Sequence, residues 1–582
     1  MRLLSSRIRT ESLLRYRVAC WLFIAVASAL AVAPFYRLGS PSGHDFEFHV
    51  YSWMDVLAQW KQSVVYPRWA ALAHWGYGEP RFLFYPPISW MLGAALGSVL
   101  PWKVVPGAFC WLALTLAGAG MFRLAREWLE PADSLFAAVF YALNPYHLLV
   151  VYWRSAYAEL LCAGLLPLLL LFVVRLNEAS FRPALWLSLV LAGAWLTNGP
   201  AAVMLHYSAI GLGVLTAVRE KSGRPLWRLA WAALLGAGLV SFYLVPAIYE
   251  QRWVNIAEVL SPGVRPQDNF LFTRNGDPDH NHFNLLVSLV ALAEMVVLAC
   301  GIFFSRQERY KNALWKPLAI WGTATFLATL SFSNVFWEYL PKFRFIQLPF
   351  RCLLCVNVAV AILLTMATRR SAIWRLVVRG LACIALLAVV IFVGWRTQPP
   401  WWATAGDVED MQRSVADGTG YEGVDEYVPA GADPDELNKD LPRLSDAAGS
   451  ADSDLTGNSA PVKGQVGNTR IINEKIIQWD ATDKHFRVLT KSPANLTVRL
   501  FNYPAWKAVV NGRRVVTATS EVTGLMIVPL EAGENDVEIR FTRTFDRSLG
   551  DKASLLSLAV LAAAWVATRP KPELRADPRP TL

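Results

Sequence analysis

The sequence predicts a polytopic all-α membrane protein with about 12 transmembrane helices and an extracytoplasmic β-sandwich-like domain near the C-terminus. Three observations predict it. Apolar residues gather into runs of roughly 17–22, the length a helix needs to cross a hydrocarbon core. Arg and Lys gather at the ends of those runs in alternate loops, the asymmetry that orients a chain across a bilayer. A long polar stretch late in the chain then breaks into short β-branched and aromatic runs separated by turn residues.

The first apolar run, Val18 to Phe35, follows Arg2, Arg7, Arg9, Arg15 and Arg17. It reads as an uncleaved first span with a cytoplasmic N-terminus. The external segment after it holds a piece from Asp45 to Gln62 with an apolar stripe of Val50, Trp53, Met54 and Leu57, and an apolar piece from Ile88 to Leu100. Both are expected as helices on the membrane surface, the second being too short to cross. The second span, about 105–123, ends at Arg123 and Arg126. The third, about 133–150, leads out to Asn144-Pro145-Tyr146-His147 and Trp153-Arg154-Ser155, and the fourth, about 160–175, ends at Arg175 and Arg182. A Gly-Pro break, Thr197-Asn198-Gly199-Pro200, separates the fifth from the sixth, and Lys221, Arg224 and Arg228 follow.

The seventh span, about 229–249, leaves through Phe242 to Ala247 into a loop from Glu250 to Phe283. The eighth ends at Arg306, Arg309 and Lys311, and the ninth, about 316–333, opens a loop with Lys342, Arg344 and Arg351. The tenth ends at Arg369 and Arg370, the eleventh covers about 376–394, and the twelfth, about 553–567, brings Arg569 and Lys571 back inside. The domain plan is therefore a transmembrane domain over 1–395, with surface helices at about 45–62 and 88–100, and a mobile acidic extracytoplasmic linker over 396–467. An extracytoplasmic β domain over 468–550 follows, and 551–582 holds the last span and a cytoplasmic tail. Strands are expected at Arg470 to Trp479, His485 to Thr490, Leu496 to Phe501, Ala508 to Asn511, Leu525 to Pro529 and Asp536 to Phe541, with Asn511-Gly512 as a hairpin signal.

Composition narrows the function. The formal net charge of +10 is accounted for by Arg and Lys at span ends, so nucleic acid is discounted as a partner. All seven cysteines lie in apolar runs, which argues against a disulfide framework, and Cys352 and Cys355 read as small packing residues despite their CxxC spacing. There is no phosphate-binding Gly-rich loop, no nucleophile elbow and no HExxH. ATP-driven transport and serine or zinc hydrolysis therefore have no support.

The densest chemistry is the stretch from Gly43 to His49, which sets His44, Asp45, Glu47 and His49 immediately after the first span. Charge at that boundary is costly and usually functional. On a helix Asp45 and His49 share a face while Glu47 points elsewhere. Asp45 reads either as a general base toward an acceptor hydroxyl or amine, or as a helix cap. Further charge comes from other external loops: Arg68, Arg81, Arg154, Glu159, Glu250, His280, His282, Lys342, Arg344 and Arg351. Arginine presents a two-pronged fork to phosphate oxygens, and snorkelling to the interface is the alternative fate of each. His280-x-His282 with Asp277 and Asp279 leaves room for a divalent metal or reads as polar loop, so no metal ligand is assigned and no cofactor is firmly implied.

The external acidic motif before a surface helix, Phe84-Tyr85-Pro86-Pro87 opening a second one, and the Leu196 to Pro200 break resemble the GT-C-type glycosyltransferases. More closely, His44 to His49, Phe242 to Pro246 and Phe345-Ile346-Gln347-Leu348-Pro349-Phe350-Arg351 resemble bacterial integral membrane proteins labelled 6-pyruvoyl-tetrahydropterin synthase-related. Phe501 to Trp506 with Val510-Asn511-Gly512 resembles the external domain of related large membrane proteins. The pterin label is not chemistry here. A tetrahydropterin synthase is a small soluble α+β enzyme with a three-histidine zinc site, and the eight histidines of this chain are scattered.

The resemblance implies a GT-C-like fold in the bacterial cytoplasmic (inner) membrane, moving a sugar from a polyprenyl-phosphate-linked donor to an extracytoplasmic glycan, lipid or protein. It implies catalysis by Asp45 with Glu47, His49 and Glu159 in support, and substrate binding by His44, Arg68, Arg81, Tyr85, Arg154, Arg344 and Arg351. The sequence departs from that pattern after the third span, where Arg154 and Glu159 stand in a loop that lacks the expected second Asp motif. A non-catalytic envelope protein that binds or translocates a lipid-linked glycan is the alternative.

Overall fold

The computed structural model describes residues 18–369, 371–396, 401–446 and 471–569. The N-terminal arginines, Arg370, the residues 447–470 at the linker–domain boundary and the tail from 570 lie outside the described residues. Among those described, nine helices are long and apolar enough to cross a membrane, and two bent pairs bring the count to eleven. The remaining expected span, the fifth, is the helix Arg182–Thr197 of only 16 residues. At 1.5 Å per residue it reaches about 24 Å, short of a hydrocarbon core about 30 Å thick. It ends as the sequence predicts: the Asn198 side chain accepts from Ala201 N at 2.9 Å and starts the next helix, Gly199–Glu220. The bent pairs are Arg224–Leu239 with Ser241–Trp253, which bend by 76° at Val240, and Trp315–Leu327 with Ser331–Tyr339 at 94°; Pro246 lies inside the second helix of the first pair.

Small residues let the spans approach closely. A Cβ on Gly120 would lie 2.6 Å from the Gly164 carbonyl oxygen. At the end of the bundle away from the β domain, buried Asp133 receives Arg379 Nη2 at 2.6 Å and Arg369 Nε at 3.3 Å.

The two expected surface helices are Phe46–Lys61 and Pro87–Gly97. They differ from the expectation in being covered. Trp53 is fully buried, stacks on Phe109 of the Val105–Ala125 helix at 5.0 Å, and lies over Gly93, where any Cβ would meet its ring. The opposite side of Phe46–Lys61 is closed by polar contacts. Asp55 accepts from the Tyr421 hydroxyl at 2.9 Å and from Leu72 N at 3.3 Å, and Gln59 Nε2 donates to the Trp69 carbonyl at 2.8 Å. A stripe-only reading misses this because the cover comes from outside the helix, from loops ten to twenty residues on and from Tyr421, 366 positions away.

The expected mobile linker is folded over residues 401–446. Trp402–Ala403 pairs with Ser40–Pro41, and a helix over Ala405–Ala416 opens with a Thr404–Asp407 capping box and buries Val408 and Met411. Leu444–Asp446 then joins the β domain. Acidic composition suggested a solvated chain, but these few apolar anchors are enough to seat it.

The β domain is a sandwich of two antiparallel sheets. One runs Leu444–Asp446, Ala494–Phe501, Leu525–Leu530, Ala518–Thr519 in spatial order. The other runs Ile471–Trp479, Asp483–Thr490, Gly533–Phe541, Trp506–Val510, Arg513–Val515. Alternate residues such as Phe486, Val488, Val498, Val528, Val537 and Ile539 meet in its core. The expected hairpin is present: Asn511 at φ 51° and Gly512 at φ 77° occupy the two left-handed positions of a type I′ turn.

Two polar clusters tie later external segments to the rest, one through the sandwich and the last helix, the other through the 401–446 segment. Buried Glu250, on the bent span, accepts Arg547 Nε at 2.8 Å, Arg547 Nη2 at 2.9 Å and the Tyr503 hydroxyl at 2.6 Å. Buried Glu79 binds Arg81 and His74 and receives Val424 N at 2.9 Å. Burial alone would raise the Glu79 carboxyl, but Arg81 and His74 hold it below the ordinary range. Next to it, His74 at φ 48° and Trp75 at φ 53° are consecutive non-glycine residues in the left-handed region, each costing on the order of 1 kcal/mol.

Candidate functional site

The site forms where three polar segments meet at the head of the Phe46–Lys61 helix. Gly43 N donates to Ser155 Oγ at 3.1 Å, Ser155 Oγ donates to the Pro41 carbonyl at 2.9 Å, and Asp45 N donates to the Arg154 carbonyl at 2.9 Å. Gly43 is required by this approach, because a Cβ there would sit 2.6 Å from the Trp153 oxygen. Ser155, at φ 49°, ends a π-helical turn over Val150–Arg154 and turns the chain so that Arg154 points back toward Asp45.

Asp45 occupies the N-cap position of the helix, yet its carboxylate caps no backbone N–H. It is 38% exposed, with Oδ2 3.9 Å from Arg154 Nη2. The capping alternative therefore fails, and the carboxylate is left accessible. Arg154 is itself buried and gives Nη1 to Glu159 Oε2. Glu159, also buried, accepts from Arg351 Nε at 3.0 Å and from the Tyr146 hydroxyl at 2.6 Å. Arg351 spends Nη1 on the Ile346 carbonyl at 2.6 Å and Gln347 Oε1 at 3.0 Å. One carboxylate thus locks two guanidinium groups from different helices, and the neighbour of the Arg154 guanidinium on its other side is the exposed Asp45.

The wall beside Asp45 is aromatic. His49 is buried against Tyr157 at 5.3 Å and Tyr85 at 5.8 Å between ring centroids, and burial pushes its imidazole down to about 4, so it is neutral at pH 7. Tyr85 is raised above the ordinary phenol range, first by burial and then by the charge of Asp45, so its hydroxyl stays protonated. His44 is exposed and packs edge-on against Phe283 at 4.9 Å. The Arg154 guanidinium lies 5.5 Å over the Phe350 ring.

The structure therefore brings together Asp45, His44, His49, Tyr85, Arg154, Glu159 and Arg351. Four expected residues lie elsewhere. Arg68 donates to the Phe242 carbonyl at 3.2 Å and lies over the Tyr66 ring at 4.6 Å, near Glu250 and Arg547. Arg81 is committed to Glu79 and reaches only the middle of the helix, through Ser52 Oγ at 3.0 Å and over the Phe48 ring at 4.4 Å. Glu47 is exposed on another side of the helix, as its spacing from Asp45 implies. Arg344 is exposed beside the Phe345 ring at 5.7 Å. Tyr146 and Gln347 were missed. Tyr146 had a signal in the Asn-Pro break that starts its helix, and Gln347, at φ 64°, stood inside the Phe345–Arg351 motif without being singled out.

The histidine pair gives no metal set of its own. Asp277 caps the Pro278–Phe304 helix through Asp279 N at 2.9 Å, and His280 Nε2 meets the Asp268 carbonyl at 3.1 Å. Among the described residues, three side chains with ligand atoms within 4.8 Å of one another occur at His485, Asp536 and Glu538 in the β domain. Arg487 already donates to the same Asp536 oxygen at 3.1 Å and Arg540 to Glu538 at 2.8 Å. Cavities of about 640 Å³ and 280 Å³ open further along the Phe46–Lys61 helix, and neither is lined by Asp45.

Comparison with known proteins adds the following. Residues 82–398 match the model of a family described as a 6-pyruvoyl-tetrahydropterin synthase related domain of membrane proteins. An uncharacterised protein of Lactococcus lactis subsp. cremoris is 25% identical over 203 residues, which cover 32% of each chain. Among solved structures, the arabinofuranosyltransferase AftD from mycobacteria matches with a TM-score of 0.40 at 17% identity, over 64% of this chain and 26% of that one. The Archaeoglobus fulgidus oligosaccharyltransferase matches with 0.39 at 12%, over 70% and 56%. ArnT from Cupriavidus metallidurans, bound to undecaprenyl phosphate, matches with 0.38 at 15%, over 68% and 76%. The matched region spans about a third of the Lactococcus protein and about a quarter of AftD.

Proposed function

The chain belongs to the family of membrane proteins defined by the 6-pyruvoyl-tetrahydropterin synthase related domain, and we propose that it is a GT-C-type glycosyltransferase. In this reading it moves a sugar from a polyprenyl-phosphate carrier to an acceptor on the extracytoplasmic side of a bacterial inner membrane. The observation that carries the reading is a single accessible carboxylate, Asp45, set 3.9 Å from a guanidinium group that is otherwise buried and locked in place.

Asp45 takes the proton from the acceptor hydroxyl as that oxygen attacks the anomeric carbon. The bond from that carbon to the phosphate oxygen breaks, its electron pair stays on the phosphate, and a direct displacement of this kind inverts the anomeric centre. Charge supports the step. Before reaction the two guanidinium charges of Arg154 and Arg351 are balanced by Glu159 and Asp45. Once Asp45 is protonated, one positive charge is left over while the leaving phosphate gains a negative one. Over about 4 Å at an effective dielectric near 20, an attraction of this size is on the order of 4 kcal/mol. Neutral His49 and the protonated Tyr85 phenol line the same wall and add a hydrogen-bonding surface without competing charge. A divalent ion, where one takes part, would find an open carboxylate in Asp45 and an exposed imidazole in His44.

The test is transfer from radiolabelled polyprenyl-phosphate sugars by purified protein in nanodiscs, with and without EDTA. Asp45→Asn should lower the rate by about 10²–10⁴-fold, the usual worth of a positioned base. Undiminished transfer at equal protein level would remove Asp45 from the mechanism. A polyprenyl-phosphate probe that crosslinks at Arg154 or Arg351 without product from any donor would instead favour a lipid-linked glycan carrier.

A further inference from the structure

We propose that the cavity of about 280 Å³ at the far end of the Phe46–Lys61 helix, closed by the Leu72–Gly76 loop and the β-sandwich, binds one saccharide unit. It is a second site. Gln59 in its wall is fourteen residues along the helix from Asp45, about 21 Å at 1.5 Å per residue. The binding it describes does not depend on whether Asp45 transfers sugar.

Two indoles, Trp75 and Trp479, line the cavity from the loop and from the edge strand of the sandwich. Flat aromatic faces suit the C–H face of a sugar ring, while its hydroxyls need directional partners. Those partners are present and unspent. Gln59 is 1% exposed, with Nε2 held by Asp55 Oδ1 at 2.9 Å and by the Trp69 carbonyl, which leaves Oε1 buried without a partner. Arg499 gives its terminal nitrogens to the carbonyls of Trp75, Leu441 and Lys439, and its Nε is likewise buried and unpartnered. Gln59 and Arg499 both line the cavity, and each carries a buried polar atom without a partner, which a hydroxylated ligand seated there would be close enough to engage.

Three features refine the ligand. The volume lies at the lower edge of ligand pockets, about 300 Å³, which suits one ring rather than an oligosaccharide. The lining charges cancel: Arg443, Lys484 and Arg499 against Asp55, Asp417 and Asp480, so a neutral sugar fits better than an anion. The aromatic wall is also held in place at a cost. Trp75 keeps its left-handed backbone because its N–H donates to the Tyr421 carbonyl at 2.9 Å and its carbonyl accepts from Arg499. Strain maintained by outside contacts concentrates at binding positions.

The experiment is saturation-transfer difference NMR on the full-length protein in nanodiscs, with a panel of methyl hexosides and methyl pentosides. At least one glycoside should bind the wild type. Trp75→Gly accepts the left-handed backbone and so preserves the loop; it and Trp479→Leu should each weaken binding by about tenfold, the range of one aromatic contact. Asp45→Asn should leave binding unchanged, so loss of transfer and loss of binding are read separately. The proposal is overturned if no glycoside binds the wild type, if both tryptophan variants bind as it does, or if inorganic phosphate displaces the glycoside as well as a second glycoside does.

Discussion

Glu159→Gln is the sharpest probe of the site. The substitution keeps shape and the oxygen facing the Tyr146 hydroxyl, but removes the one charge that Arg154 and Arg351 share. Both guanidinium groups are buried, at 2% and 8% exposure, so neither can recover its loss from water. Removing one partner of a buried ion pair costs about 3–5 kcal/mol, mostly because the remaining charge is stranded. Here two charges are stranded against one distant neighbour, Asp45 at 3.9 Å, which argues for the upper half of that range. At 1.4 kcal/mol per factor of ten, even 3 kcal/mol shifts the folding equilibrium by about 10²-fold. The assay is survival of monodisperse protein in mild detergent across a temperature series. Pairing the change with Arg351→Gln should recover part of the loss, since neighbours in one network are not additive. If Glu159→Gln survives heating like the wild type, the three-way lock does not hold Arg154 in position, and the argument for a pre-set site fails.

Two further outcomes follow from the same geometry. His49 titrates near 4 in the folded chain against 6.5 when free, so between those values the unfolded chain binds more protons and stability rises with pH. Its contribution is complete above about pH 6.5 and is lost on acidification, by about 2 kcal/mol at pH 5. His49→Phe should flatten that slope in melting curves taken from about pH 7 to about pH 5, and an unchanged slope would refute the assignment. Gly43→Ala should push the Asp45 segment off Trp153 and Arg154 and cost about 1–3 kcal/mol in a thermal shift, as overpacking does; a wild-type melting curve would mean the close approach is not kept.

Much of this fold was legible in the sequence, and the reason is local. Span ends are written by Arg and Lys, strands by alternation, and the Asn511-Gly512 hairpin by two residues that tolerate left-handed backbone. The position of Asp45 beside the first span, at the head of a helix, was legible too. What was not legible was which arginine meets which carboxylate. Arg68, Arg81, Arg154 and Arg351 look alike as loop residues, yet one serves a carbonyl beside the bent span, one serves Glu79, and two serve Glu159. Arg81 and Arg154 pair with glutamates two and five residues away, but Arg68 and Arg351 are placed by segments more than 170 residues distant, and no spacing rule says which arginine takes which fate. The linker was misjudged for a similar reason. Its acidity dominates the composition, while Tyr421, Val408 and Met411, which seat it, are few.

The contacts along the Phe46–Lys61 helix bear on how Asp45 is aimed. That helix is gripped below by the spans, and on its other side Asp55 is held by Tyr421, Ser52 by Arg81, and Arg81 in turn by a glutamate that Val424 completes. The carboxylate at its head therefore takes its bearing from two sides: directly from Arg154 and Ser155 at the end of the third span, and through the helix from residues beyond position 400. A chain stopped after the eleventh helix would keep every residue of the candidate site and lose the second of those bearings.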